Sequence, residues 1–189
     1  YGTRKVTPVP GTPLLMPESP YGRSKLMTEA MLADTAAAHD LNYVALRYFN
    51  VAGADPQGRT GQSTRGATHL IKVASETALA KRDAITVYGT DYPTPDGTCS
   101  RAYIHGSDLA RAHSAALAYL RRGGASATLN CGYGRGYSVL EVIDSVRRAS
   151  RNNFPVEVSG RRAGDPVALV ADVGRIRSTL EWRPQFEDL

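Results

Sequence analysis

The sequence predicts an α/β fold with parallel strand pairing, and three observations carry that prediction. From residue 20 onward, short apolar strand patterns alternate with helical ones, the order that builds strand–helix–strand units. The composition, 42% hydrophobic and 22% charged, is that of a soluble globular chain and excludes a disordered or collagenous one. Finally, 189 residues make one domain and part of another, long enough to bury a core without disulfides or a metal.

The elements follow in order. Residues 1–20 are proline-rich and aperiodic, an irregular connector. Ser19-Pro20 then offers an N-cap and a first-turn proline. Leu26, Met27, Ala30, Met31, Ala37 and Ala38 recur at three-to-four spacing, which predicts an amphipathic helix from Tyr21 to about Ala38. Tyr43–Tyr48 reads as a strand in a run that stops at Asn50, and residues 53–66 as a long polar loop of the kind that usually carries function. Helical spacing resumes over 67–82, followed by a strand at 85–88 and a turn-rich excursion over 91–98. A strand at 100–105 leads into a helix over 107–122, and a further strand spans 128–131. Gly132, Gly134 and Gly136 have the wrong spacing for a dinucleotide-binding fingerprint and read as tight-turn residues. A helix over 138–150, a strand at 156–158 and a helix over 174–181 complete the series, with Trp182 as a packing residue.

Charge and composition narrow the function. A net charge of +5 and a pI near 9.4 invite a nucleic-acid reading. The 23 basic residues are scattered among 18 acidic ones, however, and no basic stripe is interleaved with aromatics, so no nucleic-acid partner is expected. Nineteen arginines against four lysines suit an anionic small molecule equally well. No apolar run is long enough to span a membrane, and the first residues carry no secretory signal. The reading is therefore cytoplasmic, with Cys99 and Cys131 as free buried thiols. His39, His69, His105 and His113 show no metal-ligand spacing, so no metal is expected.

The sharpest chemical signal is Tyr21-Gly22-Arg23-Ser24-Lys25. Residues four apart on a helix share a face, so the ammonium can approach the phenol. A nearby cation favours phenolate and draws a tyrosine down from its usual value of about 10, which suits general acid–base work. The plain alternative is a helix-surface pair, since Tyr-x-x-x-Lys alone arises often by chance.

Six blocks then carry a resemblance. PYGRSKLMTE (20–29), ALRYFNVAGA (45–54), GTDYPTPDGT (89–98), YIHGSDLARAH (103–113), LNCGYGRGYSVLEVI (129–143) and GRRAGDP (160–166) follow in order the pattern of UDP-glucose 4-epimerases. These are NAD-dependent isomerases of the extended short-chain dehydrogenase/reductase superfamily. The resemblance implies the C-terminal part of a Rossmann-type parallel-sheet domain plus a smaller mixed α/β substrate-binding domain, with the N-terminal dinucleotide-binding half missing. Residues 1–66 would be the remainder of the NAD-binding domain, carrying the Tyr-x-x-x-Lys helix. Residues 67–189 would be mostly the UDP-sugar domain, with 100–125 returning to the cofactor domain. THLIK (68–72) and TLNCGYGRG (128–136) suggest the branch feeding galactose into surface polysaccharide.

The same resemblance assigns roles. Tyr21 is the acid/base at the sugar 4-hydroxyl, and Lys25 bonds the nicotinamide ribose and favours the tyrosinate. Phe49 lines the nicotinamide, and Asn50 binds the phosphate side of the UDP-sugar. Thr86 to Tyr88 lie where the uracil is held, and Leu70, Arg101, Arg162 and Asp165 match the remaining nucleotide-binding positions. Leu169 matches a position whose size tunes the sugar. Two arginines around one diphosphate make chemical sense, because charge-assisted bonds are often bidentate.

Three departures from the pattern set further expectations. The chain opens at Tyr1-Gly2, where the family has a serine a few residues upstream, so it reads as a fragment, inactive alone and without tightly held NAD. Ala102 replaces the family's aspartate, which would loosen the loop holding Arg101. The lead-in diverges and the C-terminal end stops early. The remaining sheet edge should be exposed and prone to association. The parent is expected to be a homodimer. A nucleotide-sugar dehydratase or reductase, or a non-catalytic UDP-sugar-binding remnant, are the alternatives.

Overall fold

The computed structural model describes residues 15–17, 19–162, 164–170 and 172–188, so most of the connector over 1–20 lies outside the described residues. Helix α1 (Pro20–Ala38) begins where local chemistry dictates. The Ser19 hydroxyl accepts the Gly22 N–H at 3.1 Å, and proline occupies the first turn. No residue of α1 is buried; its half-buried positions are Gly22, Leu26, Glu29, Leu32 and Ala36, while Met27, Ala30 and Met31 stand exposed. The apolar residues are thus spread around the helix, and the expected amphipathic face is not formed.

Strand β1 (Val44–Tyr48) is followed, after Phe49, by a second strand, β2 (Asn50–Ala52), where the sequence had suggested only the end of a run. Helix α2 (Leu70–Ala78) is shorter than the predicted 67–82. It starts after His69 and ends before Ala80, whose φ of 54° is left-handed. Then come β3 (Ile85–Tyr88), β4 (Ser100–His105), α3 (Gly106–Arg121) and β5 (Ala127–Cys131). A three-residue strand β6 (Gly136–Ser138) precedes α4 (Val139–Ser150), and β7 (Val156–Ser159), β8 (Ala168–Leu169) and α5 (Gly174–Leu180) follow. Ser138 and Glu141 close a capping box on α4.

Pairing is parallel in β1–β5, β2–β4, β3–β7 and β4–β8, as predicted, but β4–β6 is antiparallel. Gly136 pairs with Ala102, and a Cβ there would press on the Ser100 hydroxyl and Val170. Gly136 is thus a strand residue chosen for close approach, and among the three glycines of that turn only Gly134 has a positive φ.

Two hydrophobic cores result. One gathers Ile104, Leu129, Cys131, Ile176, Leu180 and Trp182 between the β1–β5 pair, β4, α3 and α5. The other packs Ala74, Ile85, Val87, Ile143 and Phe154 between α2, α4 and β3. Truncating a fully buried isoleucine such as Ile104 or Ile143 to alanine costs about 2–5 kcal/mol. Cys99 and Cys131 are free and buried, and Trp182 is buried with its Nε1 donating to the Asp108 carbonyl at 3.1 Å.

Candidate functional site

Strand alternation sets the geometry. On β4, Ala102 and Ile104 share one face and Arg101, Tyr103 and His105 share the other. Ile104 belongs to the first core, so Ala102 turns inward and Arg101 outward. The Arg101 guanidinium donates to the Ser100 and Pro166 carbonyls at 2.8 and 2.7 Å and to the Asp165 carboxylate at 3.2 Å. The expectation that Ala102 would loosen Arg101 is therefore not met: residue 102 faces away from it, and β8 holds it by pairing Leu169 with Arg101.

A chain of contacts extends from this arginine. The Asn50 amide donates to the Ala102 carbonyl at 3.2 Å, placing Asn50 beside Arg101. Asp165 lies three residues beyond Arg162, whose guanidinium stacks on the Tyr88 ring at 3.6 Å from its centroid. Asn50 and Leu169 thus flank Arg101, Arg101 pairs with Asp165, and the Arg162–Tyr88 stack is joined to that pair through the Asp165 N–H donating to the Arg162 carbonyl at 3.4 Å. Thr86 sits one alternation from Tyr88 on β3, and Leu70 packs against the second core at the start of α2. Phe49 packs against the first core at the junction of β1 and β2.

Tyr21 and Lys25 form a separate group on α1. The Lys25 ammonium lies 5.3 Å from the Tyr21 ring centroid, and Tyr21 is 72% exposed. Among the described residues, neither side chain bonds to the Arg101 cluster.

Several neighbours were not singled out from sequence. Arg161 stacks on Tyr92 at 4.2 Å and pairs with Asp91 at 2.7 Å, so two adjacent arginines cover two tyrosines flanking Gly89. Gly89 has φ of 82°, and a Cβ there would overlap both Arg161 and Tyr92. Tyr103 is buried beside Arg101; burial pushes its hydroxyl up to about 12, against the pull of the Arg101 charge. Asp96 accepts from the Thr98 N–H and hydroxyl at 2.9 Å and from Ser138, tying the 91–98 turn to the start of α4. Burial opposes ionisation of Asp96, but those bonds outweigh it and hold its carboxyl below the usual range. The signal for Asp96 was local: an aspartate two residues before a threonine in a tight turn. Among the described residues no group of three or more His, Cys, Asp or Glu is placed to hold a metal ion.

Residues 1–132 match the family described as NAD dependent epimerase/dehydratase. The chain belongs to that family. A UDP-glucose 4-epimerase of Azospirillum brasilense is 55% identical over the whole chain, which spans 54% of that relative. A solved UDP-glucose 4-epimerase from Stenotrophomonas maltophila, with bound NAD and formylated UDP-arabinopyranose, superposes with a TM-score of 0.94 at 38% identity. It covers 98% of this chain and 56% of its own. The UDP-Glc/GlcNAc 4-epimerase of Campylobacter jejuni gives 0.81 at 46% identity, covering 100% of this chain and 57% of its own. The chain thus spans a little over half the length of the epimerases it matches, and its Arg101 cluster lies partly within and partly beyond the matched family segment. No helix among the described residues is long and apolar enough to cross a membrane.

Proposed function

We propose that this chain carries the acid/base helix and the UDP-sugar side of a UDP-glucose 4-epimerase, which interconverts UDP-glucose and UDP-galactose through a 4-keto intermediate. The observation that carries the reading is the Arg101–Asp165 pair, with Asn50 bonded to the carbonyl beside Arg101 and the Arg162–Tyr88 stack joined to Asp165 through a backbone bond. Two guanidiniums there suit a diphosphate, an aromatic ring suits a base, and a carboxylate suits ribose hydroxyls. In this reading Thr86 and Tyr88 bound the uracil, Leu70 closes the apolar side, and Leu169 limits the room for the sugar.

The residues present fit a nicotinamide cofactor: Lys25 has a solvent-facing ammonium with donors for ribose hydroxyls, and Phe49 offers an apolar wall. NAD, when bound, supplies the reversible oxidation at the sugar C4. Tyr21 takes the proton from the 4-hydroxyl and returns it to the 4-oxygen once the keto sugar has turned over. The Lys25 charge favours the phenolate that exists before Tyr21 takes the proton and again after it gives it back; in between, Tyr21 is the neutral phenol. Asn50 and the two arginines keep the diphosphate fixed while the hexose rotates.

A division into a cofactor part (1–66, with 100–125) and a UDP-sugar part (the rest of 67–189) has the partial support of two cores, although β5 and residues 173–182 pack in the first core beside the cofactor part. The exposed Met27 and Met31 of α1 support a homodimeric parent, and the free thiols support a cytoplasmic setting. A specific observation favours the non-catalytic alternative for the isolated 189 residues: Tyr21 faces solvent, with no wall of described residues over it. The chain alone is therefore expected to bind UDP without turnover.

The test is interconversion of UDP-glucose and UDP-galactose by the whole protein, with products resolved chromatographically. Tyr21→Phe is expected to lower kcat by about 10²–10⁴-fold with KM little changed. Absence of conversion by the unmutated whole protein, or formation of a 4-keto-6-deoxy product instead, overturns the reading.

A further inference from the structure

A densely bonded buried polar group lies outside the Arg101 cluster. Asp108, in the first turn of α3, is 0% exposed. Its carboxylate accepts the Tyr133 hydroxyl at 2.7 Å and the backbone N–H groups of Gln185 and Phe186 at 2.9 and 3.0 Å, and it pairs with Arg111. Its backbone carbonyl accepts Trp182 Nε1. One aspartate therefore fastens residues 182–186 to the start of α3.

Two routes lead from this anchor to the same residue. The Tyr133 hydroxyl, while donating to Asp108, accepts the His105 backbone N–H at 2.8 Å. The Phe186 ring, held by its own N–H, stacks on the His105 imidazole at 4.3 Å between centroids and 24° between planes. His105 is thus fixed at its backbone and its ring together. Its Nδ1 also accepts the Ser107 N–H, which sets the ring's orientation. That ring lies against Gly53, where φ is 74° and any Cβ would overlap the imidazole. His105 is in register with Ala52, at the end of the short strand that begins at Asn50.

We propose that the 182–188 tail is a positioning strap: through Asp108, Tyr133 and Phe186 it fixes His105, and through His105 the 50–53 segment that presents Asn50 to the ligand. The ligand half of this proposal rests on the reading of Asn50 as a diphosphate-side contact; the mechanical half does not. The arrangement is suited to that role because a three-residue strand has little stability of its own. A buried carboxylate with four partners, by contrast, is costly to disturb.

The test has two arms, both on the whole protein. The first is amide hydrogen exchange without ligand. Tyr133→Phe, which deletes only the hydroxyl, and Phe186→Leu, which keeps bulk but removes the stack, are each expected to speed exchange at residues 51–54 about tenfold or more. Exchange at Val87 and Val158, in the distant β3–β7 pair, should be unchanged. Equal exchange at 51–54 in wild type and both variants overturns the strap. The second arm is UDP affinity by calorimetry. Either variant is expected to weaken UDP about tenfold, and to weaken it no further when Asn50→Ala is already present. A loss that simply adds to that of Asn50→Ala marks a general structural effect and overturns the coupling to the ligand. If wild type binds no UDP while the exchange arm behaves as expected, the strap is supported and the functional reading of Asn50 is what falls.

Discussion

Arg101 donates to two carbonyls and a carboxylate from one planar fork, and a lysine cannot reproduce that. Arg101→Lys keeps the charge, yet is expected to lower UDP affinity about tenfold in a calorimetric titration. Asp108 makes a different prediction. Burial works against its ionisation, but Tyr133, the two tail N–H groups and Arg111 prevail and hold its carboxyl below the usual range. A depressed carboxylate contributes stability above its unfolded value of about 3.9, and that stability disappears as pH falls through the folded value. The denaturant midpoint is therefore expected to drop on acidification below about pH 4. Asp108→Asn should lower it at neutral pH and flatten the acid limb. These two residues also mark what the sequence could show. Arg101 was legible because it sits in a recognisable block with a second arginine and Asp165 nearby. Asp108 was not, since an acid in a first helical turn reads as ordinary dipole chemistry. Its decisive partners lie 25 to 78 positions away.

The longer elements were readable because their causes are local. Ser19-Pro20 starts α1, and strand β4 runs over the predicted Ser100–His105. The missed strands β2, β6 and β8 are two or three residues long, and each exists because β4 offers it a ladder. A period-two pattern cannot emerge from three residues. The α4 capping box is spelled Ser-x-x-Glu in the sequence, where the spacing puts Ser138 inside the helix and not at its cap. Ser138→Ala removes the cap and the bond to Asp96 together. The expected cost is about 0.5–2 kcal/mol, read as a fall in Tm of roughly 2–4 °C per kcal/mol by calorimetry.

For the molecule as a whole, the uneven cover matters most. Tyr21, Met27, Met31, Tyr48 and Val51 are each exposed on α1, β1 and β2, and β1 pairs with β5 alone among the described strands. An uncovered strand edge beside apolar side chains favours association. The chain is expected to show a concentration-dependent mass in sedimentation velocity, reduced by Met27→Lys with Met31→Glu. A fixed monomer mass from micromolar to hundreds of micromolar would contradict this.

The jump at Phe49 from one ladder to another also has a temporal side. Val44 pairs with Ala127 and Asn50 with Tyr103, so neighbouring halves of one extended stretch wait for partners made at different moments. At roughly 5–20 residues per second, the β1 partner emerges from the ribosome about 4–17 s after β1 itself, and the β2 partner some seconds earlier. During that interval the edge of β1 that will take β5 is open, and nascent-chain crosslinking should find it in the grip of a chaperone until residues near 131 have been synthesised.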